Sequence, residues 1–115
     1  MACVAQFGII DTFEEGKDYS DYEPEKYNCI SINDDFIDDW WSSLVLIKTY
    51  FHSYNRPEFA LARWGVTLIP PESLEQFYSI VAKDMRSKSS KQLIELMRLI
   101  RKAVEENKYV IHYGV

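Results

Sequence analysis

The apolar positions change their spacing several times along the chain, and each change predicts an element. Ala2 to Ile10 is apolar with β-branched residues and predicts a first strand. Asp11 to Lys26 breaks that run with seven carboxylates, Gly16 and Pro24, and predicts an exposed irregular segment in which Tyr19 and Tyr22 are interleaved. Tyr27 to Ile32 predicts a short strand. Asn33 is then a good helix cap, Asp34 and Asp35 suit the positive end of the helix dipole, and Ile32 and Ile37 fall at the staple positions on either side. The recurrence of Phe36, Trp40, Leu44, Ile47 and Phe51 at spacings of four and three predicts one helix from Asp34 to His52. Trp41, Val45 and Leu46 lie outside that stripe, open to a core, dimer or partner contact.

Asn55, Arg56 and Pro57 mark a break, and Glu58 to Trp64 reads as a helical turn or as nothing regular. Gly65 to Ile69 predicts a strand apolar enough to be central. Pro71 suits the first turn of a second helix carrying Leu74, Phe77, Tyr78, Val81 and Met85. Ser87 to Ser90 is a polar loop. Ser90 caps a third helix with a stripe of Leu93, Leu96, Met97, Ile100 and Val104, and Asn107 stops it. Tyr109 to Tyr113 predicts a terminal strand. Strands alternating with helices imply an α/β or α+β fold: a single sheet of three or four strands packed against three helices, in one globular domain spanning residues 1–115.

Charge alters this picture more than composition does. Residues 1–39 hold eleven carboxylates against two lysines, a net of −9, whereas residues 40–115 hold eleven Lys and Arg against seven Asp and Glu, a net of +4. An acidic front and a mildly basic back would steer encounters with charged partners. Aromatic residues make up 15% of the chain, which fits either a binding surface rich in tyrosine or an aromatic core edged with hydroxyls. No apolar run reaches the ~20 residues of a membrane span, and the start lacks a basic region or cleavage site, so a cytoplasmic protein is expected. Two cysteines fit a reducing compartment.

Chemistry-bearing motifs are scarce. There is no glycine-rich phosphate loop, no nucleophile elbow, and no metal-ligand spacing among Cys3, Cys29, His52 and His112, so no metal and no cofactor is expected. Two surfaces remain. One is acidic and aromatic: Glu14, Glu15, Asp18, Tyr19, Asp21, Tyr22 and Glu23, with Asp35, Asp38 and Asp39 beside them, suited to a basic protein. The other is basic, with Lys83, Arg86, Lys88, Lys91, Arg98, Arg101 and Lys102 on the late helices, where a nucleic-acid-binding module is the alternative. A third possibility is a small enzyme or ligand-binding domain with a pocket near His52, Arg56, Trp64 and His112.

Three stretches, YSDYEPEKYNCISINDDFI from Tyr19, YFHSYNRPEFALARWGVTLIPPESL from Tyr50 and YVIHYGV from Tyr109, resemble the small bacterial immunity proteins of contact-dependent growth inhibition and polymorphic toxin systems. The resemblance implies a non-catalytic inhibitor that binds a cognate toxin domain, often a nuclease with a basic cleft, and occludes its active site with an acidic surface. It implies no membrane partner and no nucleic-acid ligand, and leaves the oligomeric state open.

Overall fold

The computed structural model describes residues 4–114, so the start of the expected first strand at Ala2, and Cys3, lie outside the described residues. The elements run β1 (Val4–Ile10), β2 (Ile30–Asn33), α1 (Asp35–Leu44), β3 (Lys48–Phe51), β4 (Pro57–Phe59), β5 (Val66–Ile69), α2 (Pro71–Lys83), a 3-10 turn (Met85–Lys88), α3 (Lys91–Glu106) and β6 (Tyr109–Gly114). All strands join one antiparallel sheet in the order β2-β1-β6-β5-β3-β4. The fold is therefore α+β with three α-helices, and its sheet of six strands is larger than the three or four expected.

The two extra strands come from residues read otherwise. The first helix ends at Leu44, not His52. Beyond it Thr49, Tyr50 and Phe51 are β-branched or aromatic, and as β3 they pair with β4 on one side and β5 on the other. Ile47, in the bend between α1 and β3, still reaches the same core as Trp40 and Leu44, so its helical spacing was coincidental. The strand expected from Tyr27 begins only at Ile30. Asn28 adopts a left-handed backbone (φ 51°), and turns close from Asn28 to the Glu25 carbonyl and from Cys29 to the Pro24 carbonyl. Met85, assigned to the second helical stripe, lies past the helix end and is 82% exposed.

Other local signals hold. Ile32 and Ile37 are buried in one core; the Asn33 side chain accepts from the Asp35 amide at 2.9 Å, although the cap position itself falls one residue later, at Asp34. Ser90 Oγ accepts from the Leu93 amide, and Asn107 terminates α3 in the left-handed conformation. Val66 to Ile69 is buried throughout and lies between β6 and β3.

The sheet separates two cores. On one face Phe7, Ile69 and Val110 pack with Ile37 and Leu44 of α1, Leu74 and Phe77 of α2, and Leu96 and Ile100 of α3. On the other, Ile10, Leu68, Ile111, Tyr50 and Tyr113 form a second cluster with Tyr19. No helix lies in that second cluster; residues 11–29 cover it. Both sheet edges are blunted. On β2 the Asn33 amide donates to Gln92 Oε1 of α3 at 2.8 Å. On β4 the bonds from Ala60 to the Ile47 carbonyl and from Phe51 to the Arg56 carbonyl, 3.0 Å each, set an alternation that turns Pro57 and Phe59 outward, and Pro57 has no N–H to offer another strand. No helix among the described residues is long and apolar enough to cross a membrane.

Candidate functional site

The acidic segment is a fixed layer, built on its tyrosines. Gly8 makes room for it: a Cβ there would stand 2.7 Å from Cys29 Sγ and from the Tyr27 carbonyl oxygen. Tyr19 is 3% exposed and its ring plugs the second core. Its backbone amide donates to the His52 carbonyl at 2.7 Å, and its hydroxyl accepts from the Glu14 amide at 3.0 Å. Phe13 stacks between Tyr19 and Tyr109, with centroids 5.5 and 3.7 Å away. The Tyr113 hydroxyl accepts from the Glu23 amide, and Tyr22 meets Tyr113 edge-on while its hydroxyl donates to Gln6. Burial pushes Tyr113 and Tyr109 up to about 12, the mark of rings set into this second core. Of the two explanations for the aromatic content, these rings follow the core one, except that Tyr22 is 56% exposed.

With the rings turned in, the carboxylates turn out. Glu14, Glu15, Asp18 and Asp21 are exposed and Glu23 is half-buried. Asp18 is occupied locally: it accepts from the amide and hydroxyl of Ser20, which hold its carboxyl below the usual range. Glu23 pairs with Lys26 at 3.4 Å. Among the described residues Glu14, Glu15 and Asp21 enter no ion pair. Tyr19 offers a partner no contact area, since it lies beneath this layer.

Asp35, Asp38 and Asp39 do not sit beside the segment. The apolar side of α1 belongs to the helix-side core, whereas the segment covers the opposite sheet face. Two of them are already paired. Asp38 meets Arg63 at 2.6 Å, alongside an Arg63–Asp34 bond of 2.5 Å, with the guanidinium over Trp41. Asp39 meets Arg86, which also grips Asp84; Asp84 in turn accepts from Trp40 Nε1 at 2.8 Å and is held well below the carboxylate range. These late arginines bind α1 into the fold.

Sequence spacing gave no hint of Glu72. Burial raises the Tyr109 pKa, and the charges of Glu72 and Glu15 nearby add to that rise, so the first turn of α2 lies near the acidic face. Glu72 and Glu75 also line a cavity of about 490 Å3 with Tyr109. Their approach depends on β6 and the 11–29 segment meeting at one end of the sheet.

Of the residues grouped as a possible pocket, His52 packs against Gly65 beside Trp64 and Arg56 lies close by, its carbonyl accepting from the Phe51 amide, whereas His112 stands apart. His112 is fully buried on the helix side, beside Phe7, with Nδ1 3.2 Å from Thr67 Oγ1. Desolvation, reinforced by Arg63, pushes it down to about 3, so it is a neutral core residue. His52 instead touches Ser20, whose Oγ lies between His52 Nδ1 (3.2 Å) and the Asp18 carboxylate. The carboxylate contacts the hydroxyl, not the imidazole, so it cannot orient the ring as a base. Trp64 is 77% exposed, and the surface cavities of about 240 to 490 Å3 are lined by other residues. Among the described residues no group of three or more His, Cys, Asp or Glu is placed to hold a metal ion. Comparison of the chain with protein-family models, curated proteins and solved structures finds no match.

Proposed function

We propose that the protein is an immunity-type inhibitor. It binds a cognate toxin domain, of the nuclease kind with a basic cleft, through the acidic layer over the second core. The observation that carries this reading is the orientation of the segment: its aromatic rings are consumed in anchoring it, so Glu14, Glu15, Asp18 and Asp21 are presented from an ordered backbone. A segment already held in place loses little conformational entropy on binding, and an acidic face speeds encounter with a cationic one. Tyr22 supplies the exposed aromatic contact and Glu72 extends the charge. The charges of α1 are left out of the contact because they lie on the helix side of the sheet, where Arg63 is shared by Asp34 and Asp38 and Arg86 by Asp39 and Asp84.

The test is capture of the partner from the native cell, or co-expression with the product of the adjoining gene, followed by association kinetics. Asp18→Lys with Asp21→Lys should slow association at low salt, and by less as salt rises. Asp38→Asn with Asp39→Asn should leave the on-rate unchanged. Equal rates for all three proteins would remove the acidic layer as the contact.

A further inference from the structure

The basic residues of the late helices do not form one stripe. Arg86 is held by Asp84 and Asp39, and Arg101 lies over the Tyr78 ring. Arg98 and Lys102, one turn apart on α3, instead face Lys26 and Tyr27 across a cleft of about 340 Å3, with Ile9 at its floor and Asp11 at its rim. Among the described residues Arg98 and Lys102 enter no ion pair.

The sheet adds a fixed donor. The bond from the Gly114 amide to the Gly65 carbonyl sets the alternation of hydrogen bonds on β6, and hence on β1. Ala5 and Phe7 then pair toward β2, and Ile9 points its N–H the same way. The β2 ladder ends at the Phe7–Ile30 pair, and Asn28 turns the chain aside, so the Ile9 amide opens toward the cleft. Beside it, Lys26 lies over the Tyr27 ring, 5.7 Å from its centroid, and its ammonium pairs with Glu23 at 3.4 Å on the segment side. Lys17 lines an adjoining cavity of about 240 Å3 that shares Asp11, Lys26 and Tyr27 with the cleft. Cations gathered around one cleft repel one another, and an anion between them relieves that repulsion.

We propose that this cleft is a binding site for a small organic phosphomonoester. Arg98, Lys102 and Lys26 take the phosphate, the Ile9 amide donates to one of its oxygens, and the Tyr27 ring walls the organic portion. Guanidinium and ammonium groups with an oriented amide match the tetrahedral acceptor geometry of a phosphate. Asp11 at the rim, paired with Lys108 at 3.0 Å, repels a second phosphate and accepts from ligand hydroxyls, which selects a phosphorylated polyol over a polyphosphate. A nucleic-acid backbone is disfavoured because it needs cations spread along a surface, and these are gathered in one cleft flanked by the acidic segment.

The experiment is a titration of the labelled protein with ribose 5-phosphate, and separately with inorganic phosphate, followed by amide shifts at constant ionic strength. Saturable shifts are expected at Ile9, Tyr27 and Lys102, larger for the sugar phosphate. Arg98→Glu should weaken binding about tenfold or more, the loss of one charge-assisted hydrogen bond, whereas Arg101→Glu should bind as the parent does. Circular dichroism checks that both variants fold. Non-saturating shifts spread over the exposed lysines at millimolar ligand would overturn the proposal. So would binding of an RNA oligonucleotide weakened equally by the two substitutions.

Discussion

At Gly8, a missing side chain decides whether the 11–29 segment can lie on the sheet. An added methyl would meet Tyr27 and Cys29 where the chain turns toward β2, and a backbone carbonyl cannot give way as a flexible side chain would. Gly8→Ala should cost ~1–3 kcal/mol in urea denaturation, the range for overpacking. Tyr19 is the complementary anchor. Tyr19→Phe removes only the hydroxyl that accepts from Glu14 and should cost ~1 kcal/mol, while Tyr19→Ala empties the plug and should cost ~3–5 kcal/mol. A third residue, His112, makes stability depend on pH. The unfolded chain protonates it near the ordinary 6.5, but in the folded protein burial holds it down to about 3. Its neutral form is fully compatible with the fold above 6.5, and stability is lost as pH falls from there toward 3. The slope approaches ~1.4 kcal/mol per pH unit. His112→Gln, measured by thermal melts from pH 7 to 4, should flatten that decline relative to the parent protein.

Among the elements, caps and stops read from sequence hold where they depend on neighbours a few residues away. Asn33, Ser90 and Asn107 act through groups within one turn of the chain. The boundary between α1 and β3 depends on distant partners, β4 and β5, and its apolar spacing satisfied two periods at once. The edge strand β4 carries its own protection in Pro57. Pro57→Val would restore an outward N–H beside the exposed Phe59, and light scattering should then show concentration-dependent self-association absent from the parent.

For the whole molecule, the −9 of the first third was visible in composition, but the fold divides it. Arg63, Arg86 and Lys108 come from later in the chain and pair with Asp34, Asp38, Asp39 and Asp11, so among the described residues the unpaired carboxylates of the first third, Asp35 of α1 aside, lie in the 11–29 segment that covers the sheet face away from the helices. Raising salt should therefore slow association with a cationic partner while changing the urea midpoint little, because exposed pairs contribute ~0–1 kcal/mol each.

The sequence by itself determined the mixed class, the second and third helices, the central position of Val66 to Ile69 and the existence of an acidic, tyrosine-bearing segment. Each follows from composition or from spacing within a few residues. Only the tertiary structure decided that Tyr19 faces inward, that Asp38 and Asp39 of α1 pair with arginines, that Glu72 lies near Glu15, and that Arg98, Lys102 and Lys26 meet beyond the end of β2. Those outcomes depend on which strands pair and on which sheet face a loop covers. Contacts between residues far apart in the chain set both, and no local periodicity encodes them.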